Sequence, residues 1–290
     1  MTTTPPSTSC SLAGRSVGRV GFGTMQLPGP GVWGPPADRD RAVGVLRAAV
    51  ERGVTHIDTA GFYGPEVANR LVHNALFPYP ETLLIATKVG VRRDGTRAWL
   101  PAGSPAELTR QVHDNLRTLR RDRLDLVYLR VGGDGLLAHD RTPFEESWGT
   151  LADLVTKGDI GCLGLSGIVP GHLPRAAVIA PVAAVQNRYN LFDRSGEDVL
   201  EACSQRIPFV PYFPLGTAAQ RRASVLTEVA ETIAATPAQV ALAWLLNRHP
   251  AILPIPGTSD PGHLQENLAA AEVAARMSET DLARLTALAS

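Results

Sequence analysis

An α/β fold is predicted for this chain: a (β/α)8 TIM barrel with an N-terminal hairpin and an extra C-terminal helix. Three observations predict it. Short apolar runs alternate with helical stripes eight times, as parallel strands joined by crossover helices do. The 290 residues fit a barrel, which typically takes about 250. Reactive side chains close the apolar runs: Asp58 ends HID, Lys88 ends LLIATK and Arg130 ends DLVYLR. In a parallel barrel those ends form one rim, where chemistry is built. No stretch reads as a linker, so residues 15–290 are read as one barrel. The polar start MTTTPPSTSCS places a disordered tail over residues 1–14.

The elements follow in order. Residues 17–27 read as a hairpin limb and the first strand, broken by glycines. The turn-rich LPGPGVWGPP then leads to a helix capped by Asp38 and stopped at Gly53, so Trp33 lies on a rim loop. It lines the pocket there or packs on its own loop. HIDTAGFYG is the second strand running into a loop that carries Phe62 and Tyr63. LLIATK is the third strand, and residues 89–103, with Trp99, read as a long loop. Ser104, Pro105 and Glu107 have the spacing of a capping box at the next helix. DLVYLR is the fourth strand, and a glycine-rich loop, residues 131–142, follows it. IGCLGLS, VAAVQN, FVPYF and ILPIP supply strands five to eight. Helices are expected over residues 260–271 and 278–288.

Composition excludes several classes. Formal net charge is zero, which gives no reason to propose nucleic acid or an acidic membrane surface. No apolar run approaches the ~20 residues of a membrane span, and the start lacks the basic head and apolar core of a signal peptide. Three cysteines, sparse and odd in number, fit a reducing compartment, so a cytoplasmic location is expected. The histidines have no metal-ligand spacing, and none is expected to hold a metal.

Asp-x-x-x-x-Tyr after the second strand, with Lys ending the third, resembles the aldo-keto reductase family. LGLSG, AAVQNRYN, VPYFPLG and IPGTSDPGHLQEN extend the likeness in the family's order, over residues 21–274. The family usually has His at the end of the fourth strand; this chain has Arg130. That change, with LPGPGVWGPP, is similar to the bacterial pyridoxal reductase branch. The resemblance implies Tyr63 as proton donor, Lys88 as the charge that lowers its pKa, and Asp58 as the group that orients Lys88. A structural Lys–Asp pair is the bland alternative.

The resemblance also implies NADPH as cofactor. Ser166 and Gln186 would hold the nicotinamide carboxamide, although Gly167 stands where the family has Asn. Tyr212 would stack on the ring, and Leu215 and Gly216 would wrap the pyrophosphate. Gly257, Thr258 and Ser259 would take the adenosine phosphate, with His263 where many members have Arg. Glu266 and Asn267 would meet adenine. For Gln186 and Tyr212 ordinary barrel packing is the alternative. Arg130 would meet a developing oxyanion or an anionic substituent, or turn away to Asp134 or Asp140. Trp33, Phe62 and Trp99 would wall a flat ring.

The implied activity is reduction of a small-molecule carbonyl, with pyridoxal suggested by the branch. The alternatives are a ketone intermediate of secondary metabolism, or a cofactor-binding regulatory subunit like the potassium-channel β subunits. A monomer or small homo-oligomer is expected.

Overall fold

The computed structural model describes residues 9–289. The chain opens with an antiparallel hairpin, Ser9–Leu12 (β1) and Arg15–Gly18 (β2). Residues 9–14, expected to belong to a disordered tail, are therefore part of this hairpin. Only Leu12 of β1 is fully buried, so the segment reads as polar although it is paired. Residues 1–8 lie outside the described region.

Six strands then form one parallel sheet: Phe22–Gly23 (β3), His56–Asp58 (β4), Leu84–Val89 (β5), Leu124–Arg130 (β8), Ile160–Ser166 (β9) and Ala184–Gln186 (β10). Between β5 and β8, the expected long loop folds as a second hairpin, Val91–Arg93 (β6) and Trp99–Pro101 (β7).

The seventh and eighth barrel positions are held by bridges rather than ladders. Phe209 bridges both Val185 and Ile252. Leu253 N donates to Phe209 O at 2.9 Å, and Gly21 N to Pro254 O at 2.9 Å, which closes the ring onto the first strand. Pro211, Pro254 and Pro256 interrupt these stretches, and proline has no N–H to give a ladder. At the seam the chains touch backbone to backbone. A Cβ on Gly23 would meet Ile255 O at 2.6 Å, so only glycine lets the 257–259 loop lie against the first strand.

The helices pack outside. Arg39–Glu51 (α1) is capped by the Asp38 side chain as expected. Val67–Leu76 (α2), Pro105–Leu119 (α3), Phe144–Lys157 (α4), His172–Ala177 (α5), Glu197–Cys203 (α6) and Ser224–Thr232 (α7) follow. Ser104 caps α3 through Glu107 N, and Pro237–Arg248 (α8) has a complete capping box, Thr236 with Gln239. The expected eighth helix is two, Pro261–Leu268 (α9) and Ala270–Arg276 (α10), before Glu279–Thr286 (α11). Among the described residues, no single helix is long and apolar enough to cross a membrane.

Alternation along each strand sorts the core into two parts. Outward residues such as Ile57, Ile85, Val127 and Leu165 pack under the helices. Inward residues Leu84, Ala86, Leu126, Tyr128, Ala184 and Leu253 fill the barrel, and Leu12 and Val17 of the hairpin join them at its closed end. His56 also points inward, fully buried between both ends. Burial lowers its pKa to about 4, so it is neutral at pH 7.

Candidate active site

The same parity delivers the polar groups. On β5, Leu84 and Ala86 face inward, so Lys88 does too; on β8, Leu126 and Tyr128 put Arg130 inward. Asp58, Ser166 and Gln186 end β4, β9 and β10 in the same phase. Register sets them side by side: Asp58 pairs with Ala86, Arg130 with Ser166, and Ser166 with Gln186.

Lys88 Nζ donates to Asp58 Oδ1, and to Thr59 O at 3.0 Å. Gln186 Nε2 donates to the other Asp58 oxygen at 2.6 Å. Both carboxylate oxygens are thus engaged, with the Lys88 and Asp58 side chains only 5% and 3% exposed. Tyr63 lies across Lys88, with its ring centroid 5.0 Å from Nζ, so that the ammonium acts on its hydroxyl.

A buried amide network holds the loop that carries Tyr63. Thr59 Oγ1 donates to Asn69 Oδ1 at 2.9 Å, Asn69 Nδ2 to Asn115 Oδ1 at 2.8 Å, and Thr87 Oγ1 to Asn115 Oδ1 at 2.6 Å. These partners come from α2, α3 and β5, so the loop is fixed from three elements. No motif marked Asn69 or Asn115; their place on the buried faces of otherwise apolar helix stripes was the available signal.

Lys88 acts on Tyr63 in the expected direction, but burial opposes it. Burial raises the Tyr63 pKa, and Lys88, which pulls it down, does not outweigh that. Tyr63 is therefore a neutral acid at pH 7, with a fixed positive charge beside the atom that will become phenolate. Lys88 itself remains charged: burial disfavours the ammonium, but Asp58 and Tyr63 together raise its pKa.

Above these groups is a cavity of about 750 Å³. Asp58, Tyr63, Lys88, Arg130, Ser166, Tyr212, Leu215, Gly216, Gly257, Thr258, Ser259, Phe62 and Trp99 line it. Phe62 meets Tyr63 and Trp99 edge-on, at 5.2 and 5.7 Å between centroids, and makes an aromatic wall. Trp33 is outside the lining. Arg93 lies between it and Trp99, at 5.2 and 4.0 Å from the two rings, so Trp33 braces the wall from behind. Arg93 also donates to Val32 O at 3.0 Å and so ties two rim loops together.

Gln186, His263, Glu266 and Asn267 also fall outside the lining. Gln186 stands behind Asp58. His263 is exposed on the first turn of α9, Glu266 accepts from Thr236 Oγ1 at 3.1 Å, and Asn267 is buried under the helix. Arg221, which the sequence reading passed over, does line the cavity and donates to Leu215 O and Gly216 O, both at 3.2 Å.

Arg130 is both in the site and paired. Its Nη2 donates to Asp134 Oδ2 at 2.6 Å, and the Tyr212 hydroxyl donates to the same oxygen at 2.7 Å. Burial pulls the Asp134 carboxyl up, but Arg130 and Tyr212 hold it below the usual range. The other terminal nitrogen, Nη1, is buried and has no partner. Arg130 thus pairs with Asp134, as one alternative had it, while still lining the cavity.

The aldo/keto reductase family model matches residues 19–290. The chain belongs to the aldo/keto reductase family. This reductase is 48% identical over 266 residues to pyridoxine 4-dehydrogenase of Escherichia coli K12, covering 91% of this chain and 93% of that one. Its fold matches a thermostable aldo-keto reductase solved with the inhibitor epalrestat, at 29% identity and TM-score 0.82, over 97% and 99% of the two chains. An aldo-keto reductase of Klebsiella pneumoniae in complex with NADPH matches at 27% identity and TM-score 0.80, over 99% and 96%.

Proposed function

We propose that this reductase interconverts pyridoxal and pyridoxine with NADPH, and that Tyr63 donates the proton in the reductive direction. The observation that carries the reading is the buried Asp58–Lys88–Tyr63 chain opening into an aromatic-walled cavity that also holds Arg130. The similarity to a pyridoxine 4-dehydrogenase, named for the oxidative direction of the same couple, supports the substrate.

The residues present fit the cofactor. Ser166 Oγ is buried without a partner and lines the cavity, as a donor to a polar ligand would. Ser166 and Tyr212 stand at the nicotinamide end. The Leu215–Gly216 turn with Arg221 would hold the pyrophosphate, and Gly257, Thr258 and Ser259 the adenosine phosphate. Arg41 Nε lies 2.9 Å from Ser259 O, adding a cation at that end. Asp260 does not offer a free carboxylate to a ribose hydroxyl: Oδ1 caps α9 and Oδ2 pairs with Arg41. That favours NADPH over NADH. Of the residues expected at the adenine end, His263, exposed on the first turn of α9, is the one this reading places toward the outer end of the cofactor.

NADPH supplies the hydride when bound. Tyr63 gives its proton to the carbonyl oxygen, Lys88 compensates the phenolate left behind, and Asp58 keeps Lys88 charged and aimed. Phe62 and Trp99 exclude water from the ring. Arg130, which lines the cavity, sets its guanidinium charge against the ionised ring oxygen next to the aldehyde. The unpaired cysteines Cys10, Cys162 and Cys203 accord with a reducing compartment, the cytoplasm.

NADPH oxidation with pyridoxal as substrate tests this reading. The wild type is expected to turn over. Arg130→Met should lose kcat/KM on pyridoxal by on the order of a hundredfold, as for loss of one oxyanion donor, with NADPH titration little changed. A loss under threefold in a folded variant would remove Arg130 from the substrate site. A loss confined to KM would assign it to ground-state binding of the anionic ring.

A further inference from the structure

Gly167 follows the last residue of β9 and stands opposite Arg130. Its backbone is left-handed, at φ +65°. A Cβ built there would fall on Arg130 Nη1, with the guanidinium carbon at 2.6 Å and Asp134 Oδ2 at 3.1 Å. The guanidinium thus occupies the space that any other residue at 167 would need. Its far edge is held by Asp134, from the loop over the cavity, and Asp134 is held in turn by Tyr212. Little slack remains: the Arg130 side chain is 11% exposed and cannot swing into water without breaking its pair.

We infer that Gly167 is a specificity-determining positioning residue. By having no side chain it seats the Arg130 cation in the cavity, and so selects carbonyl substrates that carry an ionised oxygen beside the reacting group. The inference rests on the substrate reading above and extends it to a residue that touches neither substrate nor proton. Any residue but glycine at 167 would push the guanidinium off its seat. The cavity would then lose its fixed charge while Asp58, Lys88 and Tyr63 stay in place.

The test is a double-mutant cycle with Gly167→Ala and Arg130→Met, each alone and combined, on two aldehydes. Pyridoxal carries the ring hydroxyl; 4-pyridinecarboxaldehyde lacks it. Gly167→Ala is expected to lower kcat/KM on pyridoxal at least tenfold more than on 4-pyridinecarboxaldehyde. Added to Arg130→Met, it should change the pyridoxal value less than twofold. Equal losses on both aldehydes, or a full further loss in the Arg130→Met background, would overturn the inference.

Melting temperatures of the same four proteins give a readout independent of turnover. Left-handed strain from alanine acts in both backgrounds, but the collision acts only with Arg130 present. The drop caused by Gly167→Ala should therefore be smaller in the Arg130→Met background, and equal drops would refute the seat. If wild type and Arg130→Met handle pyridoxal alike, the substrate reading fails; the melting cycle still decides whether Gly167 seats Arg130.

Discussion

Tyr63→Phe is expected to cost on the order of a thousandfold in kcat, within the range of a lost general acid, while NADPH affinity stays within about twofold. Tyr63 lies across Lys88 in the cavity lining and its hydroxyl faces the carbonyl in the proposed reaction, so its work is done in the transition state. Phenylalanine keeps the edge-on contacts with Phe62 and Trp99, at 5.2 and 6.3 Å between centroids, so the wall should stand. Steady-state rates and fluorescence titration with NADPH measure the two quantities. Near-normal turnover would take Tyr63 out of the donor role. A loss that appears only as weaker NADPH binding would do the same.

Lys88→Met should affect both activity and folding. Removing the ammonium leaves Asp58 as a buried carboxylate, 3% exposed, with Gln186 as its remaining side-chain partner. Breaking one half of a buried pair typically costs roughly 3–5 kcal/mol. Turnover should fall by on the order of a hundredfold or more, because no charge then offsets the forming phenolate. Neutralising the partner separates the two effects. Asp58→Asn added to Lys88→Met should recover most of the stability in urea unfolding and none of the activity. If Lys88→Met alone is as stable as wild type, the pair is not the buried anchor described here. Recovered activity in the double variant would contradict a catalytic charge at Lys88.

Much of this site could be read from sequence because it rests on strand parity. Lys88 and Arg130 end apolar runs whose alternation fixes their direction, and both point inward as the rim argument requires. The less legible parts are those set by three-dimensional competition. Whether Lys88 or burial governs the Tyr63 pKa depends on how deeply the ring sits, which spacing does not encode. Arg93 looks like a solvated cation in sequence, yet a tryptophan on each side and a carbonyl from another loop capture it. The last two barrel strands shrink to bridges because prolines remove ladder donors, although their apolar content reads as ordinary strand. The hairpin at residue 9 was hidden for the opposite reason, since three of its first four residues are not fully buried. Gly167 is legible only as a departure from the family pattern; what it makes room for becomes clear once Arg130 is seen against it.

Hydride transfer into pyridoxal is the central claim, and isotope transfer measures it directly. The purified protein is incubated with pyridoxal and NADPH carrying deuterium in the transferable position at C4 of the nicotinamide, and the product is weighed by mass spectrometry. The expected result is pyridoxine one mass unit heavy, with the label on the former aldehyde carbon, and label transfer reduced in Tyr63→Phe in step with turnover. Bound NADPH that is never oxidised in the presence of pyridoxal, or unlabelled pyridoxine, would contradict it.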